Sequence, residues 1–143
     1  MKKIMIVDDN YLSAEGIEKN IDWETLNAEI IHVCYNGTSA IEAMKKEPAD
    51  LIISDIEMPD LDGISMSRQA LEINPMVKII LISAYDKFEY ARRALLLGAL
   101  DYIEKPLDYA YLIQKVKNAF ALMEKEQKNL QLLKQSRPLL TEK

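Results

Sequence analysis

The chain has little of what most redox, metal and nucleotide sites are built from. Its one cysteine, Cys34, gives no internal disulfide framework and fits a reducing cytosol, where it reads as a reduced, half-buried residue. Its one histidine, His32, cannot form a histidine metal cluster and makes the chain a poor phosphohistidine donor; it reads as a strand residue. Neither G-x-x-x-x-G-K-S/T nor G-x-G-x-x-G occurs, so no glycine-rich loop is present to cradle a nucleotide's phosphates. No apolar run approaches the roughly 20 residues that span a bilayer. The opening Met-Lys-Lys-Ile-Met-Ile-Val-Asp reaches acid too soon for a signal peptide. A cytoplasmic chain with no membrane partner is expected. Basic residues are also scarce: residues 1–123 hold 13 against 20 acidic ones, while residues 124–143 hold five against three. An acidic body grips phosphate backbones poorly, so any contact with DNA belongs to another domain.

What is present suits one α/β domain with a tail. Nearly half of the 143 residues are apolar, enough for one core. Strands are expected near 3–7, 30–34, 51–54, 78–82 and 99–103. The first helix follows Asn10 as its N-cap and buries Leu12, Ile17 and Ile21. The second follows the Asn36-Gly37 turn, is capped by Thr38 or Ser39, carries Ala40, Ile41, Ala43 and Met44, and stops at Pro48. A third, over 64–73, lies between the Pro59 to Gly63 loop and Asn74-Pro75. A fourth, over 87–97, ends at Gly98, and a fifth begins after Pro106. Strands alternating with helices imply a parallel sheet covered on both faces. Right-handed crossovers favour a doubly wound sheet, of flavodoxin-like order 2-1-3-4-5.

Three of the apolar runs end in charge. Ile4-Met5-Ile6-Val7 meets Asp8-Asp9, Leu51-Ile52-Ile53-Ser54 meets Asp55, and Asp101-Tyr102-Ile103-Glu104 meets Lys105-Pro106. Ligands of such sheets bind beyond the carboxyl ends of the strands. In that strand order the carboxylates share one rim. They repel one another there, which a hard divalent cation such as Mg²⁺ relieves. A lysine opposite them suits a phosphoryl group. Ser83, directly after the fourth strand, has a hydroxyl to donate to a phosphoryl oxygen, and Tyr102 lies near the end of the fifth. The Lys105-Pro106 bond is expected to be cis, turning the lysine back over the rim. Asp60-Leu61-Asp62-Gly63 hints at a calcium loop. Setting Gly63 at loop position six, however, leaves Met58 at position one and Gln69 at twelve, where acids are required.

These segments resemble the response-regulator receiver domain of bacterial two-component signalling. The matching pieces are Val7-Asp8-Asp9, Ser54 to Pro59, Asp62-Gly63, Ile82-Ser83-Ala84 and Gly98 to Pro106, within residues 2–123. The resemblance implies that Asp55 is the phosphoacceptor. It implies that Asp9, Asp55 and the backbone carbonyl of Glu57 bind Mg²⁺ directly, with Asp8 acting mostly through water. Ser83 and Lys105 would hold phosphoryl oxygens and Tyr102 would be the aromatic switch. Glu57 and Tyr85 stand where the family tunes phosphate lifetime. Ile21-Asp22-Trp23, Tyr35-Asn36-Gly37 and Ala84 to Ala91 look like receivers attached to AraC-type DNA-binding domains. On its own, Trp23 reads as a packing residue.

The resemblance makes a sensor histidine kinase the phosphodonor and gene control the output. A homodimer is expected on phosphorylation, through Lys87, Arg92, Arg93, Asp101 and Glu104, which offer both signs on the face of the fourth helix, fifth strand and fifth helix. Residues 1–123 form the receiver. Residues 124–143 read as a helical connector, with Leu112, Val116, Ala119, Met123, Leu130 and Leu133 on a 4-3 spacing broken at Glu126 and a stop at Arg137-Pro138. The connector would lead to an output domain outside this chain, and DNA would be reached only through it. Three alternatives stand beside this reading: a stand-alone receiver, a partner-binding module of flavodoxin fold that is not phosphorylated, and a Mg²⁺-dependent aspartyl phosphatase. The phosphatase usually needs D-x-D at the first strand, where this chain has Asp8-Asp9-Asn10.

Overall fold

The structure, a computed structural model, describes residues 1–84, 88–99 and 101–141, except the side chains of 88, 90, 91, 95, 97 and 136–141. The chain alternates β1 (Lys2–Val7), α1 (Tyr11–Asn20), β2 (Ala28–Cys34), α2 (Gly37–Lys46), β3 (Leu51–Asp55), α3 (Gly63–Ile73), β4 (Lys78–Ser83), α4 (Phe88–Leu97), β5 (Asp101–Glu104) and α5 (Tyr109–Thr141). The sheet is parallel, in the order β2-β1-β3-β4-β5, as expected.

Side chains alternate across a strand, and here both faces are dry. Met5, Val7, Ile52, Ile79 and Leu81 pack under α2, α3 and α4, against Ala40, Met44, Ile64, Met66 and Ala94. Ile4, Ile6, Ile53, Ile80 and Ile82 pack under α1 and α5, against Ala14, Ile17, Leu112, Val116 and Phe120. That is why the strands read as unbroken apolar runs. Trp23 is buried in this second layer and donates its indole N–H to the Ile17 carbonyl at 3.2 Å.

Local chemistry sets most helix ends. Asn10 caps α1, accepting from the N–H groups of Leu12 and Ser13. Asp62 caps α3 in the same way, through Ile64 and Ser65, and Asp108 accepts from Ala110 and Tyr111 at the start of α5. Gly98, at φ +98°, supplies the left-handed stop after α4.

Four expectations need correction. Leu12 is 79% exposed; five residues before Ile17, it lies about 140° around the helix, and Ala14 takes its place in the core. Asn36, not Thr38 or Ser39, caps α2, because its side chain reaches the Ser39 N–H at 2.8 Å. Cys34 is buried rather than half-buried, and burial pushes its thiol pKa up. The last helix runs through Arg137-Pro138 to Thr141. A proline inside a helix removes one donor, and the helix can continue past that loss.

The break in the 4-3 spacing has a structural use. Leu112, Val116 and Ala119 are fully buried, Met123 is partly covered, and Leu130 and Leu133 are exposed. At the break, Glu126 pairs with Lys78 of β4 at 2.8 Å, both side chains being largely covered. The extension of α5 is therefore held to the sheet by charge at the point where apolar contact ends.

Two glycines separate two kinds of constraint. A Cβ on Gly63 would collide with the Asp55 carbonyl oxygen and come within 2.9 Å of Ile56 Cα, whereas one on Gly98 would meet nothing within 4 Å. Gly63→Ala should destabilise the chain by about 2–3 kcal/mol, since backbone must move. Gly98→Ala should cost only about 1–2 kcal/mol, as backbone strain alone. Urea unfolding of the two variants would give that order.

Candidate functional site

Strand register builds the site. Val7 pairs with Ser54, Asp55 with Ile82 and Ser83 with Glu104, so the four strand ends stop at one level. Two loop hydrogen bonds extend the ladder past the strands: Ile56 N–H to the Ile82 carbonyl at 2.9 Å and Lys105 N–H to the Ser83 carbonyl at 2.8 Å. Ser54 Oγ donates to the Asp55 carbonyl at 2.8 Å.

On this rim Asp8, Asp9 and Asp55 each present a carboxylate oxygen, all within 4.8 Å of one another. Asp8 is 1% and Asp55 8% exposed, while Asp9 is open to solvent. The Lys105-Pro106 peptide is cis. Lys105 Nζ lies 3.2 Å from Asp8 Oδ2 and 3.5 Å from Asp55 Oδ2. The other Asp8 oxygen accepts the Asn10 N–H at 2.9 Å. Ser83 is fully buried, and Tyr102 is half-buried against the Met5–Leu81 layer.

Burial and the Asp8 charge push the Asp55 pKa up to about 6, against the opposing pull of Lys105. Burial works against the Lys105 ammonium, but the Asp55 and Asp8 charges outweigh it and hold its pKa above the usual value. Both effects describe a carboxylate cluster short of positive charge. Closely spaced, hard oxygen donors in that condition fit Mg²⁺.

A second set of contacts fixes the loop after Asp55, and nothing in the sequence pointed to it. Asp60 accepts the N–H groups of Gly37 and Thr38 at 3.2 and 3.1 Å, at the start of α2. Hydrogen bonds from Thr38 hold its pKa down at about 2. A Cβ on Gly37 would run into the Leu61 carbonyl, so loop and helix touch. The partners lie more than 20 residues apart, and no local pattern announces them. Tyr11 and Tyr35 stack at 4.0 Å beyond the ends of β1 and β2. Adjacency of those strands was the available signal. His32 sits in β2, its Nε2 at 2.9 Å from the Glu47 carbonyl.

Of the residues expected on a pairing face, Arg92 lies 4.0 Å from Glu89 and Asp101 is paired within the chain to Lys115 at 3.1 Å. Arg93 and Glu104 are exposed. Lys87, with Tyr85, Asp86 and Leu100, lies outside the described residues.

The Response regulator receiver domain family matches residues 4–117. The chain belongs to this family. Its members are the phosphoacceptor switches of two-component signalling. This receiver is similar to the uncharacterized transcriptional regulatory protein YesN of Bacillus subtilis, with 29% identity over 126 residues, covering 88% of this chain and 34% of YesN. It is similar in structure to the receiver domain of AraT, a response regulator from Geobacillus stearothermophilus. That match has 34% identity and a TM-score of 0.83, covering 88% of this chain and 98% of the other. A two-component transcriptional regulator, AraC, from Clostridium phytofermentans gives 30% identity and a TM-score of 0.79, covering 90% of this chain and 99% of the other. The receiver spans about a third of the length of YesN. Among the described residues, no helix is long and apolar enough to cross a membrane.

The raised Asp55 pKa has a sign that can be tested in metal-free protein. Between the ordinary aspartate value of 3.8 and about 6, the folded receiver holds a proton that the unfolded chain has lost. Stability therefore falls as pH rises through this window, then levels off. Asp55→Asn removes that penalty while Lys105 keeps Asp8. The variant should be about 1–3 kcal/mol more stable than wild type at pH 7.5 and about equal to it at pH 4. Thermal or urea unfolding in EDTA across that range measures the gap.

Proposed function

We propose that Asp55 accepts a phosphoryl group from the phosphohistidine of a sensor histidine kinase. The observation that carries this reading is the Lys105 ammonium, 3.5 Å from a largely buried Asp55 whose carboxylate shares the rim with two more aspartates. Asp9, Asp55 and the backbone carbonyl of Glu57 would hold Mg²⁺ directly, with Asp8 in support. When bound, that ion supplies neutralising charge to the cluster and to the phosphoryl group in the transition state. The protein's own part is positional. Asp55 presents its oxygen, Lys105 holds a phosphoryl oxygen, and the Ser83 hydroxyl donates to another. The donor brings the high-energy bond, so the chain catalyses only its own phosphorylation and dephosphorylation. Exposed Tyr11 and Leu12, just after Asp8-Asp9-Asn10, offer apolar surface for a kinase.

Phosphorylation then acts as a two-state bias. Ser83 moves toward the phosphoryl group and Tyr102 turns inward behind it. Shifting a 1:99 balance to 99:1 takes about 5.5 kcal/mol, and one hydroxyl contact supplies about 1 kcal/mol. Lys105 and the loops must contribute most of the rest. The active receiver pairs through Lys87, Arg92, Arg93, Asp101 and Glu104. Residues 124–143 carry the change to an AraC-type output domain, through which DNA is reached, and the protein works in the cytoplasm. Similarity to YesN, a transcriptional regulatory protein longer than this chain, supports that output.

Incubation with acetyl phosphate and Mg²⁺ should add one phosphoryl group, seen by intact mass. Asp55→Asn should take none, and EDTA should abolish the reaction. A modified Asp55→Asn protein would sink the assignment. Sedimentation with beryllofluoride should show a dimer that Arg92→Glu weakens by about tenfold or more, since a like charge then faces the symmetric partner. A monomer at high concentration would count against the pairing face.

A further inference from the structure

Lys105 and Arg93 both stand near the acid cluster, and of the two only Lys105 has an ion pair among the described residues. Lys105 is committed to Asp8 and Asp55. Arg93 of α4 lines a cavity of about 510 Å³ that opens between Asp9, Glu57, Pro59 and Asp62. Its side chain is exposed, and among the described residues it forms no ion pair. The neighbouring Arg92 is the one that approaches Glu89, at 4.0 Å. Asp62 is occupied in capping α3 and in accepting the Ser65 hydroxyl. Among the described residues, Asp9, Glu57 and Asp62 bring negative charge to the cavity, and Arg93 is the cation of its wall.

A phosphodonor is anionic, and this opening borders Asp9, whose carboxylate lies within 4.8 Å of that of Asp55. The Asp9 and Asp62 carboxylates would repel it over the Debye length of about 8–10 Å. A guanidinium at the entrance offsets that repulsion, and its planar fork matches two oxygens of a phosphoryl group. We propose that Arg93 is a donor-recognition residue, meeting the dianionic phosphoryl group of the incoming donor at the cavity mouth. The inference rests on Asp55 being the phosphoacceptor. In the transfer from acetyl phosphate, an Asp55 oxygen forms a bond to phosphorus while the bond from phosphorus to the acetate oxygen breaks. Acetate leaves with the electron pair, and no proton need move. Arg93 takes no part in either bond; it holds the donor's charge before and during the exchange.

The test uses the full chain and two donors: acetyl phosphate, a dianion at neutral pH, and phosphoramidate, whose protonated nitrogen lowers its net charge. Second-order rate constants for modification are read by quench and intact mass. Arg93→Ala should slow acetyl phosphate by about fivefold and Arg93→Glu by more, with Arg93→Lys in between. Phosphoramidate should lose about twofold, and high salt should shrink both differences. Calorimetric titration with Mg²⁺ supplies the opposite sign. Losing a nearby cation should tighten Mg²⁺ binding about twofold in Arg93→Ala, whereas damage to the fold would weaken it. A wild-type rate in Arg93→Ala, or weaker Mg²⁺ binding alongside a slower rate, overturns the role of Arg93. A wild-type protein that takes no phosphoryl group on Asp55 from either donor overturns the phosphoacceptor reading itself, and this inference with it.

Discussion

Two carboxylates at the end of a dry parallel sheet have to be held against their own repulsion, and Lys105 is what holds them. Asp8 and Asp55 are almost wholly removed from water, where an unpaired charge is several kcal/mol out of place. One ammonium reaches both. It does so because the chain reverses at Pro106 and because its own N–H is tied to the Ser83 carbonyl. Remove that arrangement and the acids must protonate, separate or take up a cation. Burial and the Asp8 charge hold the Asp55 pKa up against the pull of Lys105. The site is therefore left receptive to further positive charge, and its chemistry follows from that shortage.

The frame exists to keep that shortage in place. Parallel register brings four strand ends level, and two apolar layers fix the sheet that carries them. The loop beyond Asp55 is pinned at both ends. Gly63 lets α3 close onto the Asp55 carbonyl, and Asp60 ties the loop to the first turn of α2. A flexible loop here would let the acids spread apart and relax, which would dissipate the repulsion within the cluster.

Much of this was readable from the sequence because it is local or periodic. The strand-end acids, Lys105-Pro106, the Asn10 cap and the Gly98 stop each announce themselves within a few residues. The doubly wound parallel sheet followed from the alternation of elements and the handedness of crossovers, and its strand order is the flavodoxin-like one. What escaped was either helical phase or tertiary contact. Leu12 was misplaced because a spacing of five looks apolar on paper yet points away from the core. Asn36 was passed over as cap because its turn signal with Gly37 masked its capping oxygen. Asp60 and Glu126 find partners far away in sequence, which shows Asp60 only within a failed calcium loop and Glu126 only as a break in the 4-3 spacing. Arg93 was assigned by its charge to an outer face, and only the fold shows that it also borders the cavity.

The pairing of Lys78 with Glu126 gives β4 two terminals. Ser83 closes one end of this six-residue strand, and Lys78 opens the other. Strand residues rise about 3.3 Å each, so the ends stand roughly 17 Å apart across the body of the domain. A strand clamped by neighbours on both sides is stiff along its length, much more so than a chain of rotating side chains. The acid-bearing rim and the root of the helical extension are thus joined in series by one backbone, as the two ends of a push-rod are. Tension at one terminal needs no relay of repacked residues to be felt at the other.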